Sequence, residues 1–415
     1  MSDWKEYKIN DVIEEISMGP FGSNIKVENF IDFGVPVLNG SNLQGFKLNE
    51  ESFNYVSQEK ADSLGKANAH RGDVVITHRG TLGQIVFIPN DSKFEQYVIS
   101  QSQFRLKLKK EVIRPDFFVY FFHTRLGQHR ILMNASQVGV PALARPTSTF
   151  KEVFVPVPSL DVQSKVMDIL HSIDDKIECN RRINENLEQQ AQALFKSWFV
   201  DFEPFKDQPF VESELGMIPQ GWRVGTFLDN IKVMPGGTPS TNVEEYWKDG
   251  VIPFFSPKDV NGVYCFETEK KITEEGLNNC SSRLYPKDTL FITARGTVGK
   301  LTLAGVSMAM NQSNYALVAN EGIGKYYLYL LAQTLVKVLL KKANGAVFSA
   351  ITTRDFDEPT IMPSTSAITQ FENIISPIFD KIHKICIESR RLAELRDTLL
   401  PKLMSGEINV NDCLI

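Results

Sequence analysis

Two kinds of hydrophobic spacing alternate along this chain. Short runs of alternating or β-branched apolar residues, closed by Gly, Pro, Asn or Asp, occupy residues 34–40, 73–77, 85–88 and 103–108. Such runs predict strands joined by tight turns. Residues 116–133, rich in aromatics, and residues 325–342 predict helices. Two longer stretches follow another rule, with seam positions spaced alternately by four and three residues. One seam runs Val166, Leu170, Ile173, Ile177, Asn180, Asn184, Leu187, Ala191, Leu194, Trp198. The other runs Phe371, Ile375, Ile378, Ile382, Ile385, Ser389, Leu392, Arg396, Leu399, Leu403. This is a heptad, the period of paired helices.

The pattern occurs twice. Trp4, Asp11 and Ile13 match Trp222, Asp229 and Ile231 at an offset of 218, and residues 19–24 fall on 237–242 at the same offset. Residues 37–43 fall on 254–260 at 217. The run Ile-Thr-His-Arg-Gly-Thr-Leu-Gly (76–83) matches Ile-Thr-Ala-Arg-Gly-Thr-Val-Gly (292–299) at 216. Gln101-Ser102 matches Gln312-Ser313 at 211, and the two seams superpose from Ile173 and Ile378 at 205. A period of some 200 residues is far beyond that of solenoids, so each repeat is a domain with a connector. The fold class expected is α/β (α+β): two similar mixed α/β domains and two long helices. Residues 201–209, with two prolines, read as the linker between repeats.

Two in-phase stripes in one chain are expected to pair as an antiparallel coiled coil; each helix packing only on its own domain is the alternative. A helix of about 40 residues is about 60 Å long, a length suited to a ruler. Within the repeat Asn184 falls on Ser389, and polar residues in an apolar seam fix register at a cost in stability. Pro377 and Pro401 are positioned to kink the start and end of the second helix.

Composition bounds the chemistry. The 415 residues are 42% hydrophobic and 23% charged, an ordinary globular balance. No stretch of about 18 apolar residues predicts a membrane span. The N-terminal residues lack a signal-peptide pattern, so a cytoplasmic location is expected. Five cysteines (179, 265, 280, 386, 413) include no CxxC pair, which argues against a disulfide framework or a zinc site. No GxxxxGK[ST] loop, Asn/Asp-Pro-Pro-aromatic tetrapeptide or HExxH run is present, so no catalytic residue and no metal ligand is assigned. Net charge is −5, which by itself counts against a dedicated nucleic-acid binder. Local patches, not averages, make such contacts.

Residues 194–202 (Leu-Phe-Lys-Ser-Trp-Phe-Val-Asp-Phe), with 213–222 (Ser-Glu-Leu-Gly-Met-Ile-Pro-Gln-Gly-Trp), resemble the central region of the DNA-specificity subunits of type I restriction–modification systems. Residues 399–408 resemble the end of the same family, and the resemblance spans the whole chain. It implies a target-recognition domain at 1–157, a helical spacer at 158–205, a second recognition domain at 206–363 and a C-terminal spacer at 364–415. It further implies double-stranded DNA and two modification subunits as partners, with restriction subunits able to join. This chain would bind no cofactor, and S-adenosylmethionine, ATP and Mg would serve the partner subunits.

A DNA reader needs cations for phosphates and amide, hydroxyl or forked side chains for base edges. The matched turns supply Arg79, Thr81 and Gln101, and Arg295, Thr297 and Gln312. Arg79 and Arg295 are either DNA contacts or scaffold arginines. Base reading belongs where the copies differ: Ser23, Asn24, Asn39, Ser41, Asn42 and Gln137 in the first, Thr241, Asn242, Lys258 and Asn344 in the second. Ordinary solvated turn chemistry is the competing account of each. Cations ending the aromatic helices (Arg125, His129, Arg130; Lys337, Lys341, Lys342) suit either DNA or a helix C-terminus. The spacer seam is represented by Ile173, Ile177, Asn184 and Leu187, and by Ile378, Ile382, Ser389 and Leu392. Two other functions stay open: a coiled-coil scaffold that binds proteins without reading DNA, and an enzyme with an unrecognised site.

Overall fold

The computed structural model describes residues 4–136, 139–342 and 350–411. Contacts divide the chain into two compact units, Met1–Ile177 with Arg391–Ile415, and Glu178–Arg390. Each unit therefore takes part of both long helices.

In the first unit, one sheet has the order Ile13–Met18, Gln103–Leu108, Val74–Thr77, Ile85–Phe87. A second sheet is ordered Phe30–Ile31, Asn54–Val56, Val35–Val37, Gln96–Val98, Asn68–His70. The aromatic segment is pure core, with residues 117–122 all buried. It is not one helix, as the sequence predicted, but two, Pro115–His123 and Arg125–Leu132. Thr124 is extended between them (φ −68°, ψ 158°), and its hydroxyl accepts from Gly127 N–H as a cap. Its Oγ1 also donates to the Phe121 carbonyl at 2.7 Å. A capping hydroxyl and the close approach of Gly127 to the Phe121 carbonyl outweigh the continuous apolar pattern.

The second unit repeats this plan. Its sheets are ordered Ile231–Pro235, Asn314–Ala319, Leu290–Thr293, Leu301–Ala304, Tyr264–Cys265, and Lys270–Ile272, Ile252–Phe255, Ala309–Met310. The drifting sequence offset is reproduced by register. Thr77 opposite Gln103 becomes Thr293 opposite Asn314, and the parallel pair Val37–Val98 becomes Phe254–Ala309. One alignment shifts by a residue. A Cβ on Gly19 would lie 1.9 Å from the Ser100 carbonyl oxygen, and one on Gly236 lies 2.0 Å from that of Asn311. Gly19 thus corresponds to Gly236, not Gly237. Here Lys325–Lys342 is a single helix.

The long helices span Leu160–Phe199 and Thr365–Met404, the second continuous through Pro377 and Pro401. Every seam position of both is buried or half-buried. Within the second unit Phe195 faces Phe371, Asn184 donates to Cys386 Sγ, and Asn180 donates to Ser389 Oγ at 3.2 Å. One partner's number rises as the other's falls, so the segments are antiparallel. The sequence equivalence of Asn184 and Ser389 is therefore not a contact, because antiparallel helices reverse the register. Residues 201–209 are also more than a linker. Phe205 is buried between Trp198 and Trp222, and Phe202 packs on Phe210.

Within the first unit the antiparallel pairing is fastened by charge. Arg396 donates to Asp174 at 2.8 Å and lies over the Phe46 ring, which stacks on Tyr120 at 4.0 Å. The Tyr120 hydroxyl donates to the same carboxylate. Leu400, Leu403, Met404 and Val410 then enter the core beside Phe117 and Leu170. Removing the Arg396 side chain leaves Asp174 largely desolvated without its cation. Arg396→Ala is expected to destabilise the protein by about 2–3 kcal/mol, less than for a fully buried pair, as read from the midpoint of urea unfolding.

Candidate nucleic-acid interface

Four loops leave the same edge of the first unit because four strands end or begin there. Strand Ile13–Met18 runs into residues 19–24, Val35–Val37 into 38–43 and Val74–Thr77 into 78–83. Residues 99–102 enter strand Gln103–Leu108. The loops are tied to one another. Gly19 N–H donates to the Gln103 carbonyl, and Gly22 leaves room for the Gln101 amide, which a Cβ would meet at 2.1 Å. His78 N–H donates to the Ser102 carbonyl, and its ring nitrogen lies 3.1 Å from the Gln101 carbonyl. Burial lowers the His78 pKa, which favours the neutral ring that pins this turn. Gln84 bonds the Gly40 carbonyl at 3.0 Å. Asn24, Asn39, Ser41, Arg79, Thr81 and Gln101 are thereby gathered, all exposed. Ser23 lies in the same short helix, Gly22–Asn24.

The Arg-Gly-Thr-x-Gly turns need their glycines. Gly80 and Gly83 have φ of 90° and 85°, and Gly296 and Gly299 of 79° and 81°, values that disfavour a Cβ. The turns hold Arg79 and Arg295 outward, and among the described residues neither guanidinium has a carboxylate partner. An arginine that held the domain together would be buried and paired, as Arg105 is with Asp73 and Glu15.

In the second unit the matching loops converge likewise. Asn311 N–H donates to the Phe255 carbonyl, Ala294 N–H to Ser313, and Gly237 N–H to Met310. The Thr238 hydroxyl bonds Gln312. Thr241, Asn242, Lys258, Arg295, Thr297 and Gln312 are exposed.

One candidate is corrected. Asn42 is 1% exposed. Its oxygen accepts from Asn39 N–H, and its amide donates to the carbonyls of Asn49 and Ser52. It shapes the loop and presents nothing outward. Its counterpart Asp259 has the same task, accepting from Ser256 N–H at 2.7 Å. Two of the helix-end cations are also committed, Arg130 to Glu6 and the Phe154 carbonyl, Lys342 to Glu358. Gln137 and Asn344 lie outside the described residues. Sequence reasoning missed Lys270, Lys271 and Trp247, which adjoin the second unit's loops, and the exposed Phe21 beside Gly22. The first three belong to no matched motif, and Phe21 lies within one but is apolar and carries no donor or acceptor. Lys270 reaches the edge only because its strand pairs back along Ile252–Phe255. Among the described residues no group of His, Cys, Asp and Glu could hold a metal ion, and no helix is long and apolar enough to cross a membrane.

The family model described as the type I restriction modification DNA specificity domain matches residues 1–189 and 219–396. The chain belongs to this family. The two matches follow the two copies of the repeat, so the specificity domain is present twice. A similar relative is the specificity subunit of the type I restriction enzyme MjaIX of Methanocaldococcus jannaschii, 27% identical over 99% of this chain and 94% of its own length. The HindI specificity subunit of Haemophilus influenzae is also 27% identical, over 98% of this chain and all of its own. The fold is shared with the crystal structure of a type I restriction–modification S subunit from M. genitalium. That match has a TM-score of 0.53 at 16% identity and covers 97% of this chain and 96% of that one.

For a specificity domain built in this way, scaffold and reading positions separate by stability. Asn42→Ala removes three part-buried hydrogen bonds and is expected to cost about 1–3 kcal/mol. Ser41→Ala is expected to stay within about 0.5 kcal/mol. Thermal melting of the two variants distinguishes them.

Proposed function

We propose that this chain is the non-catalytic DNA reader of a type I restriction–modification assembly, each α/β unit reading one half of a bipartite duplex site. The reading is supported chiefly by the convergence, in each unit, of four amide-, hydroxyl- and arginine-bearing loops on one edge, in a family described by DNA specificity. The loops enter the major groove, where the four base pairs differ in donors and acceptors. Arg79 and Arg295, alike in both copies, hold phosphates; Asn39 and Ser41 against Lys258 differ and carry sequence. The helices set the gap between half-sites and dock two modification subunits. Those subunits supply adenine methylation with S-adenosylmethionine, restriction subunits use ATP and Mg, and the assembly works in the cytoplasm.

Methylome sequencing of the host with and without this gene, the modification partner present, tests the reading. Loss of N6-methyladenine at one bipartite motif is expected. An unchanged methylome with both proteins expressed would favour a scaffold that does not read DNA. Arg79→Ala and Arg295→Ala should each weaken binding of the whole complex and flatten the log affinity–log salt slope by about 0.9. The methylated motif should stay the same, since a phosphate contact carries no sequence information.

A further inference from the structure

The two units share a scaffold, yet one strand at the reading edge differs in charge. In the first unit Val37 and Pro36 face Asn54 and Tyr55 across an antiparallel pair. At the matching place in the second unit, Phe254 and Pro253 face Lys270 and Lys271. Both lysines are exposed, and with Thr241 and Trp247 they line a shallow depression of about 350 Å³. Trp247 is fixed from two sides: its indole N–H donates to the Ser240 carbonyl at 3.0 Å, and its ring packs edge-on against Phe254 at 5.4 Å. Lys270 Nζ lies over that ring, 5.4 Å from its centre. Three carboxylates on these segments have other cations, Glu269 with Lys258, Glu267 with Arg390 and Glu244 with Lys248. Among the described residues neither Lys270 nor Lys271 has an ion-pair partner.

We propose that Lys270, Lys271 and Trp247 form a cradle for backbone phosphates of the DNA strand, present in the second unit and lacking in the first. The inference rests on the DNA-reading function proposed above. Lys270 and Lys271 neutralise phosphates, while Trp247, through its ring and its bond to Ser240, holds Lys270 beside the loop that carries Thr241 and Asn242. The ligand is an anion on a polymer and not a free metabolite, because the depression is shallow and is lined by Thr241 of a candidate reading loop. It adjoins Thr241 on one side. On the other, Glu269 N–H donates to Asp259 at the base of the Lys258 loop. The half-site read by the second unit is therefore gripped more strongly by charge than the other, with no change in which bases are read.

The test uses the complex with its modification subunits and a duplex carrying the motif found by methylome sequencing. The double variant Lys270→Ala/Lys271→Ala should lower the magnitude of the log affinity–log salt slope by about 1.8, roughly 0.9 for each phosphate released. The motif and the melting temperature should be unchanged, and Lys270→Arg/Lys271→Arg should restore the slope. Replacing single phosphates by neutral methylphosphonates should weaken wild-type binding around one half-site, and the alanine variant should lose that sensitivity. An unaltered slope in a stably folded alanine variant, or methylphosphonate effects identical in wild type and variant, would overturn the cradle and leave the DNA-reading function standing. Failure of the wild-type complex to prefer the motif over random duplex would overturn both.

Discussion

Each unit depends on both long helices to close its core. In the first, Val166, Met167 and Leu170 from one helix and Leu400, Leu403 and Met404 from the other are buried with Phe117, Phe118 and Tyr120. In the second, Ala191, Phe195 and Phe199 meet Phe371, Ile375 and Phe379 around Tyr326 and Tyr327. The second core is completed within one stretch, Glu178–Arg390, but the first cannot be. The first unit waits for residues 391–411, so its closing contacts are very long in sequence and slow to form. The ion pair of Asp174 and Arg396 secures that late contact with a directional, partly desolvated bond, where apolar packing alone would tolerate sliding. In the second unit the corresponding fastening is aromatic, with Trp198 and Phe199 packed on Phe371 at 5.6 and 4.9 Å.

The same arrangement separates what is shared from what is free to vary. The turns are held by their own backbone and by buried caps, Asn42 on Asn39 and Asp259 on Ser256. Glycines at positive φ aim the Arg-Gly-Thr-x-Gly turns outward in both copies. The guanidinium groups of Arg79 and Arg295 take no part in this support, and the Ser41 hydroxyl adds only a bond to the exposed Asn39 side-chain oxygen. Replacing Ser41 by lysine at the corresponding position 258, or Asn54-Tyr55 by Lys270-Lys271, therefore alters the surface chemistry while the scaffold persists. Loops on a rigid frame built in this way can change without refolding it.

Much of this was legible in the sequence because it is periodic. Heptad spacing gave both long helices, and the strand runs at 74–77 and 103–108 obeyed simple alternation or β-branching. The internal repeat carried pairing registers, since two copies that fold alike must drift in offset together. The Arg-Gly-Thr-x-Gly turns were visible because their glycines answer a local backbone need. Periodicity failed at Thr124, where a capping hydroxyl and Gly127 divide a helix that hydrophobicity would have continued. It failed also at residues 201–209, whose prolines mark a boundary but whose Phe202 and Phe205 are packed.

The sequence by itself determined the element types, the twofold repeat, the two seams and the loops that bear candidate chemistry, all consequences of spacing along one chain. Only tertiary structure decided which seam residues meet, because antiparallel packing turns the equivalence of Asn184 and Ser389 into contacts of Asn180 with Ser389 and Asn184 with Cys386. It also decided which polar residues face outward. Asn39 and Asn42 are the same residue type three positions apart, and one is exposed while the other is buried with its hydrogen bonds spent on its own loop. Lys270 came to the reading edge through strand pairing, a relation that no local pattern records. Burial and cross-strand neighbours are set by where distant segments return in space, and that information is not periodic.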